Sequence, residues 1–300
     1  MSDDTMKTTT PAISVVVPCY NAARYFHETL DAILGQEWDQ PWELVIADNR
    51  STDNSREIAA DYAKRFPHIR VVTANEGQGT TWAVNAGVKA AAGRSVLLCD
   101  SDDVPSPGWL AAMGNALAER DFVACRMDVT SLNPLDEFGS RPHPQTERLM
   151  KISYPPYLYH AGGSTLGFRR DLFLEIGGYD PRFIYLHETD FCFRMQLAGH
   201  SLTFVRDAVQ NVRFRRDTRA TFYQSMHWGE YNVLLFRKYR GHGEPARGRW
   251  KRLMFDSLHV VRLLSQWRKF SPGQRMNTMW LSGWLIGKLK GMILYRSAPY

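Results

Sequence analysis

Four times in the first hundred residues a short apolar run ends in a polar cluster and gives way to a stretch of helical spacing. The runs are Ile13–Val17, stopped by Pro18, then Glu43–Ala47, Ile69–Val72 and Val96–Cys99. Each is rich in β-branched or aliphatic residues and short enough for a strand buried on both faces. Parallel strands need helical crossovers, and a spacing of about 25–30 residues suits βαβ units. The pattern predicts an α/β fold with a doubly wound, mostly parallel central sheet flanked by helices. The polar clusters at 19–21, 48–53, 75–79 and 100–103 then lie on one edge of that sheet. Ligands of open α/β sheets bind just beyond the carboxyl ends of the strands.

The fourth cluster is chemically the most demanding. Val96-Leu97-Leu98-Cys99 runs into Asp100-Ser101-Asp102-Asp103, three carboxylates in four positions. Like charges side by side repel, so the cluster either sits in solvent or surrounds a cation. Hard divalent cations take carboxylate oxygens and keep positions open for water and substrate phosphates. The alternative is an acidic turn closed by Pro105 and Pro107. A dinucleotide-binding domain needs a glycine-rich turn after its first strand, and Pro18-Cys19-Tyr20-Asn21-Ala22-Ala23 has no glycine.

Local signals place the helices. Asn21 is a candidate cap for a helix from Ala22 to about Leu34, and Ser51 or Asp53 for one ending near Phe66. Gly77 and Gly79 precede a helix around Thr81–Ala92, which Gly93 is expected to end. A further helix ends near Arg120, Phe122–Cys125 and Thr165–Phe168 read as strands, and Arg169–Asp180 reads as a helix stopped by glycine. Residues 131–160 hold five of the fifteen prolines and read as an irregular excursion. His187-Glu188-Thr189-Asp190 opens the next helix. Acidic residues there suit the helix dipole, while a carboxylate could also serve as the base that takes a proton from an acceptor hydroxyl.

In order, these segments resemble the family 2 glycosyltransferases of GT-A fold. Ile13–Asn21 is similar to their opening strand and V-P-x-Y-N turn, and Ala47–Asp53 to V-D-[DN]-x-S-T-D. Asn75–Gly93 resembles N-x-G…A-R-N-x-G…A-x-G, and Asp100–Asp103 the metal-binding D-A-D-D. Gly177–Asp180 resembles G-G-F-D, and His187–Asp190 E-D-x-D. The resemblance implies one GT-A domain over 12–240, with donor binding in 12–110 and the acceptor side in 111–240. It implies inverting transfer of a sugar from a nucleoside-diphosphate sugar, with Mg²⁺ or Mn²⁺. Pro18, Tyr20, Asn21, Asp48, Asn49, Asp100 and Ser101 fall on donor-binding positions, Asp102 and Asp103 on the metal. Glu188 and Asp190 fall on the catalytic carboxylates.

His187, Gln224 and Trp228 are weaker candidates for the acceptor or diphosphate side. Gln224–Trp228 is similar to the Q-x-x-R-W of processive members with His227 in place of Arg, and the reading is non-processive. Val84 stands where an Arg is common. The rival activities are a sugar-phosphate nucleotidyltransferase, which wants a glycine-rich basic loop after the first strand, and a non-catalytic binder of nucleotide sugar or nucleic acid.

Charge and composition set the remaining expectations. The net charge of +6 lies mostly beyond residue 205 and calls for an anionic partner. Arg206, Arg213, Arg215, Arg216, Arg219 and the run Arg237-Lys238-Tyr239-Arg240 read mainly as a solvated face, with one or two left to meet a diphosphate. Residues 1–11 are expected to be disordered, and 241–300 to form a helical, basic, amphipathic extension. Within it Met279–Lys290 mixes Trp, aliphatics and Lys, which suits a helix lying on an anionic membrane, or packing on the domain or on a second subunit. The four cysteines show no zinc spacing and read as reduced. The expected location is cytoplasmic and peripheral on the inner face of the cell membrane. A glycan or lipid-linked acceptor is expected, with no nucleic acid, and a homo-oligomer is compatible with the chain.

Overall fold

The computed structural model describes residues 10–133, 144–214, 217–245 and 247–300. Most of the expected N-terminal disorder, the centre of the proline-rich excursion, and Arg215 and Arg216 lie outside that range. In chain order the elements are β1 (Ile13–Cys19), α1 (Phe26–Leu34), β2 (Trp42–Asp48), α2 (Ser55–Arg65), β3 (Ile69–Thr73), α3 (Thr80–Ala90) and β4 (Ser95–Leu98). Then come β5 (Val104–Pro105), α4 (Trp109–Glu119), β6 (Phe122–Asp128), β7 (Met150–Lys151), β8 (Tyr159–His160), β9 (Leu166–Arg169) and α5 (Arg170–Glu175). The last are α6 (His187–Leu197), β10 (Thr203–Asn211), α7 (Thr218–Tyr239), α8 (Arg249–Ser265) and α9 (Pro272–Leu294).

The chain divides into two compact units, one of residues 1–126, 162–179 and 199–210, the other of 127–161, 180–198 and 211–300. The first carries an eight-stranded sheet of order β3-β2-β1-β4-β9-β6-β10-β5. β1 pairs parallel with β2 and β4, and β2 with β3, while β9 runs antiparallel to both β4 and β6. Every residue of β1 is buried, as a strand covered on both faces requires. The chain winds outward from β1 through β2 to β3, then returns to place β4 on the other side of β1. The order therefore reverses between β1 and β4, the point where open α/β sheets form a crevice.

Several boundary residues act differently from their sequence reading. α1 begins at Phe26 with no side-chain cap, because Asn21 sits at φ 49° and is used elsewhere. α2 begins at Ser55, whose nitrogen donates to Asp53 Oδ1 at 3.1 Å, so Asp53 and not Ser51 meets the start of the helix. α3 ends at Ala90, and Gly93 instead lies against β1, where a Cβ would stand 2.5 Å from the Ser14 nitrogen. Gly177 and Gly178, at φ 82° and 66°, do terminate α5 as expected.

In the second unit α9 packs along α7. Gly283, Gly287 and Gly291 recur every fourth residue, and a Cβ on any of them would collide with the α7 backbone or with Ser225. Gly229 returns the contact from α7 against the Trp284 carbonyl. Small residues at this spacing let two helix backbones approach closely. The Met279–Lys290 run thus spends one face on α7. Ser271 starts α9 with a full capping box to Gln274. No helix among the described residues is long and apolar enough to cross a membrane.

Candidate active site

In the first unit the loops after β1, β2 and β4 are neighbours because their strands are, and side chains stitch them together. Asn21 holds the first loop to the second: its Oδ1 accepts from the Thr52 nitrogen at 2.8 Å and from Thr52 Oγ1 at 3.3 Å. The Asn21 nitrogen donates to Ser51 Oγ (3.1 Å), the Ala22 nitrogen to Ser55 Oγ (2.8 Å) and the Ala23 nitrogen to Asp53 Oδ2 (3.1 Å). The αL backbone at Asn21 is one that a short amide side chain tolerates. Tyr20, between them, stays half exposed, while Pro18 is buried in β1.

Asp48 and Asn49 are buried at the end of β2, at 2% and 1% exposure. Asp48 Oδ2 accepts from Arg56 Nε at 2.5 Å and its Oδ1 from the Ser51 nitrogen at 3.3 Å. The Asn49 amide is fully committed to the chain. Its Nδ2 donates to the carbonyls of Ala74 (2.7 Å) and Gly77 (2.8 Å), and its Oδ1 accepts from the Gly79 nitrogen (2.7 Å). Besides the base contact expected of it, Asn49 thus has a scaffolding role. Asn49 fixes the Gly77–Gly79 turn, in which Gly79 has φ 121° and a Cβ at Gly77 would enter the Trp82 ring.

The acidic loop leaves β4 beside β1. Thr29 Oγ1 of α1 donates to the Ser101 carbonyl at 3.1 Å, and the Asp103 nitrogen to the Asp100 carbonyl at 3.2 Å. This tight turn separates the three carboxylates. Asp102 is exposed and Asp100 half-buried, but Asp103 is 2% exposed and lies close to Cys99 and Cys125. Asp103 therefore does not share the open surface expected of a metal ligand. Among the described residues no three His, Cys, Asp or Glu side chains form a ready metal cage. Burial and nearby carboxylates push the Cys19 thiol up to about 11 and the Cys125 thiol to about 12. Neither is a thiolate at neutral pH, so thiol nucleophiles drop out.

In the second unit α6 starts from Leu186 at φ 57° with no side-chain cap, so the acidic residues of its first turn do not close the helix end. His187 Nε2 lies 3.6 Å from Glu188 Oε2, and the Glu188 side chain is 15% exposed. Asp190 is fully buried. Arg194 Nε donates to its Oδ2 at 2.8 Å, while Lys238 Nζ (2.5 Å) and the Tyr239 hydroxyl (2.8 Å) both donate to Oδ1. Both oxygens have partners within the chain, so Asp190 has a structural role beside the catalytic one expected of it. Lys238 also reaches Asp180 Oδ2 at 3.2 Å, and so is not part of a solvated basic face.

The weaker candidates divide similarly. Trp228 meets Trp280 edge-on at 5.4 Å and packs against an apolar cluster with Phe236 and Tyr239. His227 stacks on Tyr185 at 4.6 Å, and burial lowers its basicity despite the Glu230 carboxylate. Gln224 is half-buried on α7.

Two residues without an expected role prove central. Asn85 of α3 donates to the Tyr179 carbonyl (2.9 Å) and accepts from its nitrogen (2.8 Å), locking the glycine turn after α5 to α3. Glu43 accepts from Ser14 Oγ (2.6 Å) and from the Ala92 nitrogen (2.5 Å), tying β1 and β2 to the end of α3. Asn85 falls on the Asn of the A-R-N-x-G resemblance, which gave it no role, and a Glu opening a strand gave no signal of this. A shallow hollow lined by Gln40, Pro41, Trp42 and His68 lies at the amino end of β2, opposite the polar corners.

Comparison with known proteins agrees with this geometry. The chain is 27% identical over 207 residues to the glycosyltransferase AglE of Haloferax volcanii, a match covering 68% of this chain and 67% of that one. It is 34% identical over 140 residues to TuaG of Bacillus subtilis, whose name assigns it to teichuronic acid biosynthesis; that match spans 45% of this chain and 55% of TuaG. Among solved structures, the mannosyltransferase PcManGT of Pyrobaculum calidifontis, in complex with GDP-Man and Mn²⁺, superposes with a TM-score of 0.65. It is 19% identical and is covered to 88%, against 95% of this chain. S. aureus TarS 1-349 gives 0.54 at 16% identity, covering 95% of this chain and 91% of its own. The fold is that of the GT-A glycosyltransferases. The profile described as Glycosyl transferase family 2 matches residues 14–177, more than half of the chain, and the protein is a glycosyltransferase of that family.

Proposed function

We propose that this enzyme is an inverting, non-processive glycosyltransferase that moves a sugar from a nucleoside-diphosphate sugar to an acceptor hydroxyl. The observation that carries the reading is the acidic loop beyond β4, held by Thr29 at the point where the strand order reverses. Complexes of structural neighbours with GDP-Man and with UDP-GlcNAc support a nucleotide-sugar donor without choosing its base. The loop after β1, with exposed Tyr20, is the proposed face for the base, alongside Pro18, Asn21 and Asp48; Asp100 and Ser101 are proposed for the ribose.

The donor set suits a hard cation. Mg²⁺-type ions are held by one or two carboxylates, with water and substrate phosphates completing the shell. Exposed Asp102 would hold Mg²⁺ or Mn²⁺, with Asp103, buried beside Cys99 and Cys125, the second candidate ligand. A bound cation would neutralise charge on the departing diphosphate. Glu188 is the proposed general base, taking the acceptor proton, and His187 beside it orients or tunes that carboxylate. Gln224 is proposed on the acceptor side. A glycan or lipid-linked acceptor of the cell envelope is proposed, and the assignment of TuaG to teichuronic acid biosynthesis supports a glycan. The proposed place of work is the cytoplasmic face of the cell membrane.

Turnover of nucleotide sugars by the full chain tests the reading. Loss of a positioned general base costs about 10²–10⁴-fold, so Glu188→Gln is expected to lower kcat by that factor with little change in donor KM. Asp102→Asn is expected to abolish the rise in Tm that donor and Mn²⁺ together produce. Undiminished turnover in both variants removes the mechanism, and retention of configuration at the transferred carbon removes the inverting assignment.

A further inference from the structure

α8 carries an exposed apolar stripe of its own, whereas the Trp-rich run of α9 spends one face on α7 and leaves Ile286 and Leu289 exposed on another. α8 buries Leu253 and Val260 and exposes Trp250, Met254, Leu258, Val261 and Leu264. At 100° per residue the first four of these fall within a quarter-turn of one another, with Leu264 at the edge. Those four are 50% to 64% exposed, and Leu264 is 43% exposed. Lys251 and Arg262 stand on the flank of this stripe. Lys251 Nζ lies 5.9 Å from the ring centre of Phe255, which is itself half exposed.

The charge around the stripe says what covers it. Between residues 245 and 275 stand Arg247, Arg249, Lys251, Arg252, Arg262, Arg268, Lys269 and Arg275, against Asp256 as the single acidic residue. A second copy of the chain would bring like charge onto like charge across this face. A sheet of anionic headgroups over acyl chains matches both halves of the pattern, since interfacial helices bury an apolar stripe while flanking cations meet the headgroups. We propose that α8 lies flat on an anionic lipid membrane, with Trp250, Met254, Leu258 and Val261 in the acyl boundary and Lys251 and Arg262 at headgroup level.

Flotation of the full chain with lipid vesicles tests this, and because it reads binding it is independent of the transferase reading. The protein is expected to float with phosphatidylcholine vesicles containing phosphatidylglycerol and to stay behind with phosphatidylcholine alone. Lys251→Glu with Arg262→Glu is expected to weaken binding by roughly 30-fold or more, from about fivefold for each cation near the surface. Leu258→Glu with Val261→Glu is expected to abolish it. Both pairs lie on an exposed face, so unchanged thermal melting keeps the comparison clean. Failure to float with anionic vesicles at low salt overturns the proposal, as does equal binding to neutral vesicles. So does a concentration-dependent dimer that the Leu258/Val261 variant converts to monomer without any vesicle binding.

Discussion

The donor corners of the first unit and the His187–Asp190 turn of the second are both read from sequence as ligand-contacting motifs, yet they are held by opposite means. The donor corners are stitched largely by neutral groups: Asn21 to Thr52, Asn49 to Ala74, Gly77 and Gly79, and Ser51 and Ser55 to the loop after β1. The α6 turn is stitched by charge, with Asp190 gripped by Arg194 and Lys238 and Asp180 by Lys238 and Arg182. Neutral hydrogen bonds contribute about 0.5–1.5 kcal/mol each and are little affected by salt. A buried charged cluster can be near neutral in net worth yet very costly to break on one side. In both places the motif splits into residues that hold the loop and residues that face outward. Tyr20 and Asp102 face outward in the first unit, and Glu188 keeps partial exposure in the second.

The largest effect expected from breaking this comparison is at Asp190. Asp190→Ala leaves Lys238 and Arg194 without their buried counter-charge, and a loss of about 3–5 kcal/mol in unfolding free energy is expected by urea denaturation. Asp190→Asn keeps the shape and should lose less. Glu188→Gln, two positions earlier, should leave the urea midpoint unchanged while lowering turnover. An Asp190→Ala variant that unfolds normally but fails to turn over would reverse the roles assigned to the two carboxylates.

Asn49 breaks the other side of the comparison. Its family counterpart is often Asp, which looks conservative but cannot donate. In Asn49→Asp a carboxylate would face the Ala74 and Gly77 carbonyls at distances now set by N–H donors, and it would lack water because the site is 1% exposed. A buried unsatisfied polar group costs about 1–3 kcal/mol, and a charged one more, so a loss of roughly 3 kcal/mol is expected. The same variant should protect the Gly77–Gly79 turn less in hydrogen exchange. If Asn49→Asp melts like the parent and instead changes which nucleoside diphosphate raises Tm, Asn49 touches the base after all.

The parallel half of the sheet was legible because buried strands write themselves as unbroken apolar runs, and β1 through β4 appear where the runs at 13, 43, 69 and 96 place them. The order of the motifs likewise sufficed for the family. Boundaries failed where a capping residue had two uses. Asn21 has the chemistry of a helix cap but spends it on a loop thirty-one residues away, and Asp53 divides its oxygens between the start of α2 and the loop after β1, contacts no local pattern records. Asp103 shows the same limit, since three adjacent carboxylates look equivalent until the turn at Asp100–Asp103 sends one inward. Lys238 read as one more cation of a basic tail because its partners, Asp180 and Asp190, lie 58 and 48 positions away. The small residues of α9 were visible, but periodicity alone does not say whether a close-packed face meets lipid or another helix.

The smallest expected effect concerns acid. Burial raises the Asp180 carboxyl, but hydrogen bonds from Arg182 and Lys238 outweigh it and hold the group well below the usual carboxylate range. A carboxylate whose pKa is depressed on folding adds stability that is fully present above its unfolded value, near pH 4, and is lost as pH falls toward the folded value. Part of this cluster is solvent-screened, with Arg182 77% exposed, so the contribution is kept to about 1 kcal/mol. Stability should therefore be level from pH 7 to 5 on this account and decline below pH 4. Asp180→Asn should lower the plateau by about that amount and flatten the acid limb, as urea midpoints at pH 7 and pH 3 would show. Added salt should shrink the difference between Asp180→Asn and the parent at pH 7, while the Asn49→Asp difference, set by buried dipoles and desolvation, should persist. Equal salt sensitivity of the two variants would mean that the neutral and charged stitching do not differ in kind.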